Sequence, residues 1–233
     1  MSDPVRIGCI DSAAMPLFDV STDGIARVGY EPDAARLVFG RLDRTIEWVF
    51  LAWADMIPAV RERRVDVIWC GQGITAERSA LVDFTDPYAV FGETLVVRAD
   101  DTARAVEDLA GYRIGAIANS TNEKLARTFP GVEIVGFGGS GDVFGDMIEA
   151  TRSGEIDGFV DDDVVNIPLV ESDPDFATAF VADTRNRWAV AVAPGDDELR
   201  GQINSALAEV IADGSLGAAW KRWMPLLDFP LPA

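Results

Sequence analysis

A strand–helix–strand alternation runs through the first part of this 233-residue chain, stops, and starts again. Nothing else in the sequence constrains the fold as strongly. Residues 5–10 (VRIGCI) read as a strand, with a loop over 11–22. Ala34, Ala35, Leu37, Val38 and Leu42 have helical spacing and predict a helix over 31–42. The pattern continues with a strand over 45–51, a short helix over 55–64 and a strand over 65–70. It restarts after residues 106–109, with a strand over 113–117. A capping box of Ser120 and Glu123 precedes a helix over 124–128. Then come a strand over 132–135, a helix over 143–152 and a strand over 157–160. Residues 188–192 return as a strand, helices follow over 197–213 and 215–223, and a proline-bearing tail covers 224–233. Such alternation indicates α/β architecture with a small parallel sheet in each of two lobes. Chain crossings are expected near 92–97 and 185–190. They divide the chain into a discontinuous lobe of residues 1–94 and 188–233 and a second lobe of 95–187. Two crossing strands act as a hinge, and the cleft between lobes is the default place for a ligand.

Composition narrows the chemistry. Hydrophobic content of 48% with 25% charged residues is that of a globular protein with a real core. The formal net charge of −19 argues against nucleic acid and against anionic membrane surfaces as partners. Lys124 and Lys221 are the only lysines, so the positive charge is nearly all arginine. The chain has no histidine, which excludes histidine-based triads, acid–base pairs and metal sites. Cys9 and Cys70 are too few for a zinc cluster and lie in apolar, strand-like runs, where buried free thiols are expected. The chain begins Met-Ser-Asp-Pro without a visible signal peptide, and the apolar run 48–53 is far too short to span a bilayer. A periplasmic or cell-surface location is expected if a secretion signal has been removed, and a cytoplasmic one if the sequence is full length.

The segment 53–98 carries the most chemistry. A strand ending Val-Asp-Val-Ile-Trp-Cys meets Gly71, Gln72 and Gly73, and a helical turn opens at Thr75 with Arg78 inside it. Backbone N–H groups at a helix start, beside an arginine fork, make a trap for a carboxylate. Residues 71–88 read G-Q-G-I-T-A-E-R-S-A-L-V-D-F-T-D-P-Y. They resemble the G-M-T-I-T-x-E-R-x-x-x-x-D-F-S-D-P-Y run of the bacterial extracellular solute-binding proteins of the polar amino-acid type, the receptors of ABC importers. The likeness extends over nearly the whole chain, including DLAGYRIGA (108–116), GEIDGFVDDD (154–163) and DGSLGAAWKRW (213–223).

The resemblance implies a type II periplasmic-binding-protein fold and a set of ligand-binding residues. Arg78 is the carboxylate clamp, with N–H groups near Gly73 and Thr75 completing the shell, and Gly71 and Gln72 are also ligand-binding. Asp162, at the carboxyl edge of the IDGFV strand, receives the ligand's ammonium group; Asp161 and Asp163 are weaker candidates. Trp53 packs on the ligand or in the core, Asp11 faces the cleft, and Ser120 and Thr121 lie in a ligand-facing loop that opens a helix. The family fold also makes the Cys9 and Cys70 strands neighbours, leaving a disulfide open. Three departures remodel the pocket. Ala14 and Leu17 stand where the family has aromatics, and Gly73 replaces a hydroxyl residue, for which the Gln72 amide could partly compensate.

Two segments suggest competing readings. Gly136, Gly138 and Gly141 spell G-x-G-x-x-G after a strand, with Asp157 and Asp161 nearby, but the unit is too small for a dinucleotide fold. STNEKLAR (120–127) resembles a segment of the cyclohexadienyl dehydratases, enzymes of the same fold. Their catalytic glutamate falls at Val165, which cannot donate a proton. The expectation is therefore a non-catalytic protein that binds a small carboxylate-bearing solute, amino-acid-like or an organic acid. It needs no metal or cofactor, is a monomer, and serves an ABC permease. The alternative is a cytosolic enzyme related to those dehydratases, or a sensor with an altered ligand.

Overall fold

A computed structural model describes residues 4–19 and 26–232. Positions 20–22 of the expected loop and Ala233 of the expected tail lie outside the described residues. The chain divides into two compact units: Met1–Asp11, Met15–Val90 and Asn186–Ala233 form one, and Ser12–Ala14 with Phe91–Arg185 the other.

In the first unit, β1 (Val5–Cys9) pairs in parallel with β2 (Ile46–Phe50) and with β3 (Val67–Ile68). Helix α1 (Tyr30–Arg41) carries Glu31 and Asp33 in its first turn and Arg41 in its last, in line with its dipole. A 3-10 turn over Trp53–Asp55 leads into α2 (Met56–Arg61), which buries Met56, Ala59 and Val60. These residues share one core with Cys9, Val65, Ile68, Cys70 and Ala191. Helix α3 (Ala76–Ser79) is a single turn. A row of tilted rings stiffens this unit: Trp69 lies 5.1 Å from Tyr88, and Tyr88 6.3 Å from Trp188. Buried side chains of this size contribute roughly 1.5–3 kcal/mol each.

The second unit is built on β5 (Arg113–Ile117), which pairs in parallel with β6 (Glu133–Phe137) and β7 (Gly158–Asp162). Helix α4 (Thr121–Ala126) and α5 (Val143–Ser153) belong to this unit, and α5 ends on Gly154 in the left-handed region, at φ 78°. Leu95, Leu109, Ile114, Ala126 and Val160 form its core.

Two strands run through both units, β4 (Asp83–Arg98) and β8 (Phe176–Val192). Strand β3 pairs with β8, and β4 with β7, in each case antiparallel. The resulting sheet has eight strands in the order β2-β1-β3-β8-β4-β7-β5-β6. A small parallel sheet in each lobe was expected. The long crossing strands, of 16 and 17 residues, instead add antiparallel pairs, β3 with β8 and β4 with β7, to the parallel ones. The whole D-F-T-D-P-Y run lies inside β4 rather than ahead of it. Helix α6 (Asp163–Ser172) and the first part of β8 were not anticipated. Helix α6 has no polar stripe and carries Pro168 in its interior, which hides a helical period. The two C-terminal helices, α7 (Asp197–Ala212) and α8 (Ser215–Trp223), fall where the spacing placed them.

Candidate functional site

The turn after β3 holds Arg78 before any ligand is considered. Thr75 caps α3, its Oγ1 accepting from the Arg78 N–H at 3.1 Å. The Arg78 guanidinium donates through Nη1 to the Gly73 carbonyl at 2.8 Å. Gln72 turns its amide oxygen to the same fork, accepting from Nη1 at 3.1 Å and from Nε at 3.0 Å. The guanidinium carbon lies 5.4 Å from the Trp53 ring, a cation–π geometry. An arginine held on three sides has lost most of its rotamer freedom in advance, which lowers the entropy cost of binding.

Gln72 is buried, and its amide oxygen supports Arg78. The Gly71 N–H donates to Glu31 Oε2 at 3.1 Å and approaches the Tyr88 hydroxyl at 3.2 Å. Gly71 has φ 67°, where an L residue would be strained, so the turn needs glycine here. Gly73 forms an isolated antiparallel bridge with Trp188. The bridge bonds run from Ile74 N–H to Arg187 O and from Ala189 N–H to Gln72 O, leaving the Gly73 N–H outside the pair. Trp53 is partly buried against the unit's core, and its ring lies under Arg78. Asp11 is half-buried, two residues past β1.

In the second unit the aspartate run ends β7 and opens α6. Asp161 Oδ1 accepts from Asn122 Nδ2 at 3.0 Å and from the Asp162 N–H at 2.8 Å. Asp163 Oδ2 accepts from the Gly92 N–H at 3.0 Å. Among the described residues, Asp162 Oδ1 is buried with no hydrogen-bond partner. Burial pushes the Asp161 carboxyl up to about 7. Burial, then the charges of Asp161 and Glu93, push Asp162 well above the usual carboxylate range. A buried carboxylate without a cation is costly, and such a site favours a positively charged guest or a proton.

Ser120 and Thr121 sit at the start of α4, where Ser120 Oγ accepts from the Glu123 N–H at 3.1 Å. The helix begins three residues ahead of the expected Lys124. The Glu123 carboxylate reaches the Asn119 N–H at 2.7 Å, one residue earlier than a capping box requires. The Ser120 N–H is committed to Ile117 O, so Thr121 is the better placed donor of the pair.

The glycine-rich loop over 136–141 closes on itself. The Asp142 N–H donates to Ser140 Oγ, Ser140 bonds Asp146, and Asp142 caps α5 through the Gly145 N–H. Carboxylates therefore stand where a dinucleotide's phosphates would need N–H groups, and β6 is an edge strand. Cys9 and Cys70 are free and buried. Burial pushes the Cys9 thiol up to about 11, and Cys70 higher still. Val165 is buried, 3% exposed. Among the described residues no group of histidine, cysteine and acidic side chains could hold a metal ion, and no helix is long and apolar enough to cross a membrane.

Sequence reasoning missed two acids. Glu31 is 2% exposed and Glu93 is 1% exposed. Glu93 breaks the apolar run of β4, and Glu31 sits between Tyr30 and Pro32 ahead of an apolar helix face. An acid inside an apolar run was the available signal for Glu93, whereas Glu31 has the place of an ordinary first-turn acid.

The fold is that of a solute-binding protein of the periplasmic type II class. The chain belongs to the bacterial extracellular solute-binding proteins, family 3, whose family model matches residues 7–225. It is 28% identical over 220 residues to ABC transporter arginine-binding protein 1 of Escherichia coli (strain K12), covering 92% of this chain and 88% of that one. Among solved structures it is similar to an ancestral arginine-binding protein bound to arginine, with a TM-score of 0.86, 28% identity and coverage of 96% and 99%. It is also similar to the ancestral amino acid-binding protein AncCDT-1, a precursor of cyclohexadienyl dehydratase, with a TM-score of 0.83, 26% identity and 95% coverage of both chains.

Proposed function

We propose that this protein binds a free amino acid without transforming it, as the solute receptor of an ABC transporter. Arg78 takes the α-carboxylate and Asp162 the α-ammonium group. The observation that carries the reading is the preset Arg78, held by Gln72, the Gly73 carbonyl and Trp53. The buried, partnerless Asp162 Oδ1 supplies the matching demand for positive charge. Arginine is the first ligand to try, because the similar E. coli protein and the ancestral structure are arginine-binding. Its extra charge also suits an acidic surround. The permease partner and a location outside the cytoplasmic membrane follow from this role.

A thermal-shift panel of the twenty L-amino acids, keto acids and prephenate tests the reading. An amino acid at ~100 times its Kd stabilises by about 2.7 kcal/mol. For a protein of this size that is a rise in Tm of roughly 5–10 °C. No response to any amino acid, with a clear response to a ligand lacking the ammonium group, contradicts it.

A further inference from the structure

Glu31 is almost fully buried in α1. Both of its hydrogen bonds fall on one oxygen: Oε2 accepts from the Tyr88 hydroxyl at 2.8 Å and from the Gly71 N–H at 3.1 Å. Oε1 is buried without a partner among the described residues. Gly71 is the first residue of the turn whose next two members, Gln72 and Gly73, hold the Arg78 guanidinium. A continuous path of short contacts therefore runs from a buried acid to the binding arginine. We propose that Glu31 is a positioning residue for Arg78: its carboxyl group fixes the 71–73 turn through the Gly71 N–H, and its protonation state sets how strongly that arginine holds an anion. This rests on the reading of Arg78 as the holder of the ligand's carboxylate.

The direction follows from charge. Ionised Glu31 puts a negative charge behind a turn that has to accept an anion in front, so the neutral form favours binding. The groups facing Glu31 are Tyr88 from β4, Tyr30 on its own helix, Arg27 just ahead of that helix, Cys9 from β1 and Cys70 after β3. Burial keeps both tyrosine hydroxyls and both thiols neutral at ordinary pH, which leaves Arg27 as the one charge among them. Its guanidinium lies 5.0 Å from the Phe18 ring and 5.3 Å from the Phe50 ring. It does not hold Glu31 ionised: desolvation wins, and the carboxyl is pushed up to about 7.

The test begins without ligand. The backbone amides of Gly71, Gln72 and Gly73 and the Nε–H of Arg78 are followed by 15N NMR across the neutral pH range. A step with a midpoint near 7 is expected in the wild type and in Asp161→Asn, and none in Glu31→Gln, which is isosteric with the neutral acid. Tyr88→Phe removes a donor to the carboxylate, so its midpoint moves up; this variant decides the matter if Glu31→Gln fails to fold. With L-arginine as the probe, the ratio of wild-type to Glu31→Gln affinity should fall ~3- to 10-fold as pH rises through the step. Equal steps in wild type and Glu31→Gln overturn the proposal, whether or not L-arginine binds. If Arg78→Ala binds L-arginine as tightly as wild type, the assignment of Arg78 fails. If Arg78→Ala weakens binding while the affinity ratio stays flat with pH, only the role of Glu31 fails.

Discussion

Glu93 on β4 stands directly opposite Asp162 on β7 in antiparallel register. Two carboxylates so placed cannot both ionise without cost, and Asp161 lies next to them. An acid with a raised pKa in the folded state keeps its proton longer there than in the unfolded chain. For Asp161 that contribution to stability is full below the usual carboxylate pKa near 4 and is lost as pH rises to about 7. Without ligand, the protein should be less stable at pH 8 than at pH 5. Glu93→Gln keeps an acceptor for the Thr184 hydroxyl and removes one charge. It should raise stability at pH 8 by about 1–2 kcal/mol and change little at pH 5. Urea unfolding at the two pH values checks this; a variant destabilised equally at both would contradict it.

Gln72→Leu should weaken amino-acid binding by roughly 5- to 30-fold, the worth of about 1–2 kcal/mol of lost support for a charged fork. The fork keeps its bond to the Gly73 carbonyl, so Arg78 remains but is less well aimed. Calorimetric titration measures the loss. Unchanged affinity would mean that Gln72 plays no part in aiming Arg78.

Both cysteines should be inert while the protein is folded. Each thiol is buried, and the Cys9 pKa of about 11 leaves little thiolate at pH 8. A thiol reagent at pH 8 should label neither within the time that labels both in denaturant. Rapid labelling of the native protein would show that the core over Cys9 and Cys70 opens readily.

Prephenate should not be turned over. Position 165, where the resemblance places the dehydratases' catalytic glutamate, is a valine packed in the interior, which cannot donate a proton. Phenylpyruvate production well above the uncatalysed background, followed spectroscopically, would reverse the assignment as a receptor.

Much of this was legible in the residues. The α1, α5, α7 and α8 spans follow a clean helical period, and Thr75 and Ser120 cap their helices as serine and threonine do. The antiparallel pairings of β4 and β8 were not legible, because strand direction is set by where the chain returns and not by side-chain alternation. At the site, the arginine and the aspartate run could be picked out by type and position. The commitments of Gln72 to Arg78 and of Gly71 to Glu31 could not, since each joins residues that only the folded turn brings together. Glu31 looked like an ordinary first-turn acid; its burial depends on Tyr88 and the Gly71 turn covering it.

The central claim is that one ligand satisfies both Arg78 and Asp162. Calorimetric titration of the best amino acid from the panel, beginning with L-arginine, into wild type, Arg78→Ala and Asp162→Asn tests it most directly. Removing one member of a desolvated charge pair costs about 2–5 kcal/mol. Arg78→Ala should therefore bind roughly 30- to 1000-fold more weakly or worse. Asp162→Asn should lose affinity for the amino acid while sparing its analogue without the α-ammonium group. Asp161→Asn and Asp163→Asn should change affinity little, because both carboxylates are engaged inside the chain. Equal affinity of wild type and Arg78→Ala for that amino acid would contradict the account.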